Sequence, residues 1–263
     1  MKPRIRKPIV TLLLMLVLLA PIHAEKIVNG VEVLTTIEEL VDPVHSVVIV
    51  IDMQNEIVSS EGGYARKDKS VKADPKNHQV TSRYAEQVNK LKAFLDAARE
   101  AGVAVAYAEY IHQDRNGRML VNGPEVWTHR NSLWVSNAVE GTWESQTVVE
   151  LAPKKGETVI RKSRADAFHN TYLDDLLKAR SIRSVLLTGT ATSGCVFATA
   201  MGAVPRGYYP VIVTDCVDQD QKTLSLMEGR FPKYGSGEII RVWKQTSATS
   251  NRLSGSRQPE GSR

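Results

Sequence analysis

Residues 184–200 read SVLLTGTATSGCVFATA. The apolar run Ser184–Thr188 has the length and side chains of a strand buried on both faces. Gly189 interrupts it, and Cys195–Val204 has the composition of a helix that Pro205 brings to an end. A strand that turns through glycine into a helix is the repeating unit of a parallel α/β sheet. Two glycines in such a turn also open phosphate loops. A phosphate loop, however, carries Lys-Ser/Thr after its second glycine, and here Cys195-Val196 follows Gly194. The dinucleotide fingerprint fails as well, because GTATSG lacks the G-x-G core. The stretch points to an α/β sheet with a cysteine at a helix N-terminus, and away from a nucleotide cradle.

The same alternation extends in both directions. Val47–Ile51 (VVIVI) is a β-branched run followed at once by Asp52. Residues 79–102 carry Val88, Leu91, Leu95 and Ala98 at helical spacing, and Gly102 closes the helix. Val103–Ala108 is the next strand, and Thr158–Ile160 a short one leading to Lys162. Residues 170–180 read as a helix with Leu173, Leu176 and Leu177 inward. A strand over 209–214, a helix over 222–230 and a final strand over Glu238–Val242 complete the series. Six strands alternating with helices predict an α/β fold: a three-layer α-β-α, Rossmann-like arrangement on a mainly parallel six-stranded sheet. Residues 61–77 read as a polar loop. Residues 110–145 form a long irregular segment holding Trp127, Trp134 and Trp143.

The ends have a different character. MKPRIRK is basic, IVTLLLMLVLLA is apolar over 12 residues, and Ala24 offers a cleavage position. This is the pattern of a signal peptide over 1–24, with an uncleaved N-terminal anchor as the competing reading. A periplasmic or secreted protein is expected, with no membrane association after cleavage. Residues 25–40 read as an N-terminal arm, 41–245 as the domain and 246–263 as a polar, disordered tail. Lys2, Arg4, Arg6 and Lys7 account for most of the formal net charge of +5, so basicity is no argument for nucleic acid. Cys195 and Cys216 are the two cysteines, and no Cys/His spacing suits a metal. In an oxidising compartment they can pair, although Cys216, at a strand end, reads as structural.

In open α/β sheets chemistry collects beyond the carboxyl ends of the strands. Asp52, Lys162 and Cys195 each follow an apolar run at such an end. Singly, each has an ordinary reading: a turn aspartate, a solvated lysine, a small buried thiol. Together they form a chemical set. A helix N-terminus and an ammonium favour a thiolate. An aspartate can take the thiol proton and return it to a leaving amine. A thiolate attacks a carbonyl and leaves a thioester for water. The backbone N–H of Cys195 is available to an oxyanion.

VVIVIDMQN, VIRKSRADAFHNTYLDDLL and LLTGTATSGCVFATA resemble the isochorismatase-like cysteine hydrolases over about residues 40–243. The family's acid matches Asp52, its lysine Lys162 and its nucleophile Cys195. The resemblance implies a cis peptide between Thr190 and Ala191, aiming the Ala191 N–H at the oxyanion beside that of Cys195. It also implies a homo-oligomer and a small-molecule substrate. Nicotinamidases of the family bind a metal through an Asp-x-His pair after the second strand. This chain has AEYIHQD there, so Glu109 and His112 are not that motif and neither metal nor cofactor is expected. EGGYAR is similar to the ureidoacrylate and biuret branch. The expected function is hydrolysis of a C–N bond in a small amide, carbamoyl or ureide compound. Vinyl ether hydrolysis and a non-catalytic binding role are the alternatives. Candidate substrate-binding residues are Gln54, Phe168, Trp127 and Trp143. Gln54 reads equally well as a turn residue, Phe168 as core, and the tryptophans as loop packing.

Overall fold

The computed structural model describes residues 27–67, 79–124 and 138–255. Two compact units divide at Thr35/Thr36. In the first, strands β1 (Ile27–Val28) and β2 (Val31–Glu32) pair antiparallel. The expected signal peptide lies outside the described residues. The second unit begins with helix α1 (Ile37–Leu40), closed by a capping box in which Thr36 and Glu39 bond each other's backbone. That helix belongs to the compact unit, five residues earlier than the domain start expected at 41.

A six-stranded parallel sheet forms the centre. Its strands are β3 (Ser46–Ile51), β4 (Ala104–Tyr110), β5 (Thr158–Lys162), β6 (Ser184–Gly189), β7 (Tyr209–Val217) and β8 (Lys233–Tyr234). The spatial order is β5-β4-β3-β6-β7-β8. The central strands β3 and β6 are buried along their whole length, as continuous apolar runs require. Alternate side chains face opposite layers. Val47, Ile49 and Ile51 join a cluster with Leu173 and Leu177 of helix α5 (Leu173–Ala179) and Ala200 and Ala203 of helix α6 (Phe197–Ala203). The short helices α2 (Asn55–Val58) and α3 (Gly63–Lys67) follow β3, and α7 (Gln221–Leu226) follows β7. Helix α4 (Ala85–Glu100) packs against β7 and β4 together with the C-terminal helix described below.

Five expected strands are found and the sixth is not. Glu238–Val242 was expected to be a strand, but it lies within the long helix α8 (Ser236–Gly255). The run EIIRVW is β-branched, yet Ile239, Val242 and Trp243 recur at helical spacing and are the buried positions. The sixth strand is the two-residue β8, whose partner along β7 is Ile212–Val213. Asp215 closes the N-terminus of α8 by accepting from Ser236 N at 2.7 Å and Ser236 Oγ at 2.8 Å. Trp243 stacks on Phe94 of α4 at 5.2 Å between centroids, and its Nε1 donates to Val41 O at 2.7 Å. The tail expected to be disordered from residue 246 is helical as far as Gly255. Once its first turns are anchored, each further residue adds a hydrogen bond without a new nucleus. Residues 256–263 lie outside the described residues.

Replacing Trp243 by alanine removes a ring that is 2% exposed together with its hydrogen bond. The expected cost is about 3–5 kcal/mol, read from urea unfolding followed by circular dichroism.

Candidate active site

The strand order reverses between β3 and β6, and the crevice beyond their carboxyl ends is where open α/β sheets bind ligands. Asp52 leaves β3 with φ +52°, in the left-handed region that aspartate tolerates better than most residues. Its N–H is held by Ala108 O at 2.9 Å. On the neighbouring strand, Gly189 has φ +104°, and a Cβ there would collide with the Ile51 carbonyl. Only glycine lets the chain cross so close to β3. The Thr190–Ala191 peptide is cis, at the bond that the resemblance implied. Thr192–Val196 then forms a widened helical turn before α6 begins at Phe197. Cys195 sits in this turn, a few residues before the α-helix that was expected to start with it.

Lys162 is the last residue of β5, two strands away from β3. Its side chain passes over the Tyr110 ring, with Nζ 4.3 Å from the ring centroid. Nζ then donates to Asp52 Oδ2 at 2.9 Å and to Arg164 O at 3.2 Å. The two side chains are 0% and 1% exposed, so this ion pair is fully inside the protein. Asp52 Oδ1 is buried and accepts no well-formed hydrogen bond among the described residues. The Cys195 thiol interacts with both charges, so the structure brings all three residues together.

Burial decides the electrostatics. It raises the Asp52 carboxyl above the ordinary aspartate value, and the Lys162 charge offsets only part of the rise. Burial works against the Lys162 ammonium, but Asp52 and Cys195 outweigh it and hold the proton on Nζ. The Cys195 thiol is pushed up to about 12 by burial and then by the Asp52 charge, against the pull of Lys162. A thiolate favoured by the helix N-terminus and the lysine was expected. The structure instead favours a neutral thiol, because burial, and then the Asp52 charge, disfavour an anion on sulfur. Cys216 is fully buried, and burial raises its thiol as well. Both cysteines are free, so the disulfide weighed from sequence is not formed.

The substrate-binding candidates fare less well. Gln54 is 1% exposed, and its amide is taken up by backbone: Nε2 donates to Tyr110 O and Ser145 O, and Oε1 accepts from Tyr110 N. It ties the end of β4 to the 145 loop rather than facing a ligand. Phe168 is a core residue, stacked on Tyr208 at 5.7 Å, 3% exposed and part of the buried cluster beneath α6. Trp143 lines a groove with Asn55, Gln79 and Val149 that touches none of Asp52, Lys162 and Cys195. Trp127 lies outside the described residues. Glu109 accepts from Thr147 N and Oγ1 at 3.1 and 3.0 Å, and His112 packs on the Tyr110 ring. Among the described residues, no group of three or more His, Cys, Asp or Glu is arranged to hold a metal ion.

Three contributors were not singled out from sequence. Tyr110 carries the lysine across β4. Gln87 Nε2 donates to Gly189 O at 2.8 Å and Cys216 O at 3.2 Å, bracing the turn from α4. A glutamine beside Val88 and Leu91 on the inward face of a helix was the available signal. Asp218 accepts from Thr192, and nothing in VDQD announces it. A cavity of about 640 Å3 borders Ala191 and Ser193 and is walled by Arg83, Gln87, Asp218 and Asp220. It meets the turn that carries Cys195 but is not lined by Asp52, Lys162 or Cys195.

Residues 46–225 match the isochorismatase domain. The chain belongs to the isochorismatase family. This isochorismatase-like hydrolase is 32% identical over 190 residues to the ureidoacrylate amidohydrolase RutB of Caulobacter vibrioides, covering 68% of this chain and 79% of the relative. RutB of Cronobacter turicensis is also 32% identical, over 67% of this chain and 76% of its own length. The fold is shared with a cysteine hydrolase from Pseudomonas syringae pv. phaseolicola, at TM-score 0.62 and 22% identity over 78% of this chain and 94% of that one. It is shared too with N-carbamoylsarcosine amidase from Thermoplasma acidophilum, at TM-score 0.57 and 23% identity over 73% and 96%.

Removing one partner of the Asp52–Lys162 pair leaves the other buried alone. Lys162→Met is expected to cost about 3–5 kcal/mol at neutral pH. The uncompensated Asp52 then binds its proton more tightly folded than unfolded. Stability from that proton is present at low pH and lost as pH rises, so the deficit shrinks toward pH 4. Urea unfolding of parent and variant across pH 4–8 measures this.

Proposed function

We propose that this hydrolase cleaves the C–N bond of a small amide, carbamoyl or ureido compound through a covalent intermediate on Cys195. The observation that carries the reading is the fully buried Asp52–Lys162 pair beside the Cys195 thiol. The ureidoacrylate amidohydrolase relatives and the EGGYAR segment favour a ureido-acid substrate within that class.

Because the resting thiol is neutral, its proton leaves as the bond forms. Asp52, as carboxylate, takes the proton while Sγ attacks the substrate carbonyl carbon. The carbonyl oxygen becomes an oxyanion held by the Ala191 and Cys195 N–H groups. Asp52 returns the proton to the leaving nitrogen, the C–N bond breaks, and an amine or ammonia departs. The acyl or carbamoyl group remains on Sγ. Asp52 then deprotonates a water that attacks the same carbon, and the thiol is restored by that proton. Lys162 stays charged throughout and keeps Asp52 ionised more readily than burial alone would allow.

The test is ammonia release from a panel of ureido acids, N-carbamoyl amino acids and simple amides. Cys195→Ala is expected to lose about 1,000-fold or more in kcat/KM. Asp52→Asn is expected to lose ~100- to 10,000-fold. Asp52 works as the anion, and burial raises its pKa, so activity falls with acid at a pH above the ordinary aspartate range. Full turnover by Cys195→Ala overturns the reading.

We also propose that the enzyme works outside the cytoplasm, on the strength of the basic and apolar segments that precede Ala24. Mass spectrometry of the protein from fractionated cells is expected to find Glu25 as the first residue. An intact Met1 or Lys2 terminus in the soluble cytoplasmic fraction refutes export.

A further inference from the structure

We propose that Asp218 is a positioning residue that sets the oxyanion donors. The inference rests on the reading above for its chemical consequence, but its structural part stands alone. The backbone from Gly189 to Cys195 has to present two N–H groups to one point. Three sets of contacts hold it. Thr190 N donates to Ile51 O at 2.9 Å, next to Asp52. Gly189 O accepts from Gln87 Nε2 at 2.8 Å and from Asp218 N at 3.3 Å. Beyond the Ala191 corner, Ala191 O accepts from Gly194 N and Val196 N, Asp220 interacts with Ser193, and Asp218 grips Thr192.

Asp218 Oδ1 accepts from the Thr192 backbone N–H. Thr192 Oγ1 lies 2.6 Å from Asp218 Oδ1 and 2.6 Å from Asp218 O, so its single proton serves that residue from both sides. Thr192 is fully buried and Asp218 is 9% exposed, so water does not easily replace these bonds. Thr192 directly follows Ala191 and is the first residue of the widened turn that ends at Val196. One side chain at the end of β7 thus grips the segment between the two donor N–H groups. Its other oxygen, Oδ2, faces Arg83 at 4.0 Å, a half-exposed partner that contributes little. The acceptor at Oδ1, rather than the charge, is what the turn needs.

The effect is on geometry of the transition state, where a displacement near 1 Å costs roughly 100-fold. Asp218→Ala is expected to lower kcat about 10- to 100-fold with KM within about threefold, because the donors act on the oxyanion and not on the resting substrate. Asp218→Asn keeps an oxygen at Oδ1 and is expected to restore kcat to within about fivefold of the parent. Alkylation of Cys195 by iodoacetamide uses no oxyanion, so its rate should stay within about threefold in both variants. Hydrogen exchange read by mass spectrometry is expected to speed up about tenfold in peptides covering 189–196 of Asp218→Ala, with α4 and β3 unchanged. That readout needs no turnover, so it judges the anchoring even if no substrate on the panel is cleaved. Should Asp218→Ala not fold, Thr192→Val removes the hydroxyl from the other side and is read in the same way. Unchanged exchange at 189–196 overturns the anchoring. Faster exchange with parental kcat, or an equal loss in the Asn and Ala variants, overturns its role in positioning the donors.

Discussion

A carboxylate and an ammonium that meet inside the protein, 2.9 Å apart and out of reach of water, organise this molecule. Neither charge is tolerable there without the other. The pair reaches from β3 across β4 to β5, so three strands have to end in register for it to form. Tyr110 supplies the bridge, because its ring face can lie under an ammonium without demanding a hydrogen bond from it. The apolar bulk of the sheet makes the pair expensive, and that expense makes it useful. A carboxyl whose pKa is raised by burial can both take and return a proton.

The thiol shows the same logic from the other side. An exposed cysteine beside a lysine would ionise more readily. Here burial and the neighbouring carboxylate keep the proton on sulfur at rest. On the proposed mechanism, charge develops only as the bond to substrate forms, where the Ala191 and Cys195 N–H groups would receive it. What the site requires is accuracy in the turn between β6 and α6. Gly189 permits that turn, and Gln87 and Asp218 clamp it from two different elements.

The comparison of expectation with structure is uneven in an instructive way. The central strands were legible as apolar β-branched runs, and Asp52, Lys162 and Cys195 stood out as the polar groups that follow three of those runs. The last strand was misread. A short β-branched run looks alike in a strand and on one face of a helix, and the buried spacing of Ile239, Val242 and Trp243 decides for the helix. Gln54 and Phe168 sat near the motifs in sequence, yet one is taken up by backbone and the other by the core. Adjacency along the chain does not say which way a side chain faces.

The placing of Asp52, Lys162 and Cys195 beyond three strands, the parallel sheet and the glycine turn were determined by the sequence alone. They depend on local composition and on spacing along one chain direction. Only the tertiary structure decided the protonation balance of the site, the role of Tyr110, and the hold of Asp218 on Thr192. Those depend on what lies across the sheet: a partner 110 residues away for Asp52, and one 26 residues away for Thr192. Burial and long-range contact set the strength of every charge and hydrogen bond here, and neither is written in the order of the residues.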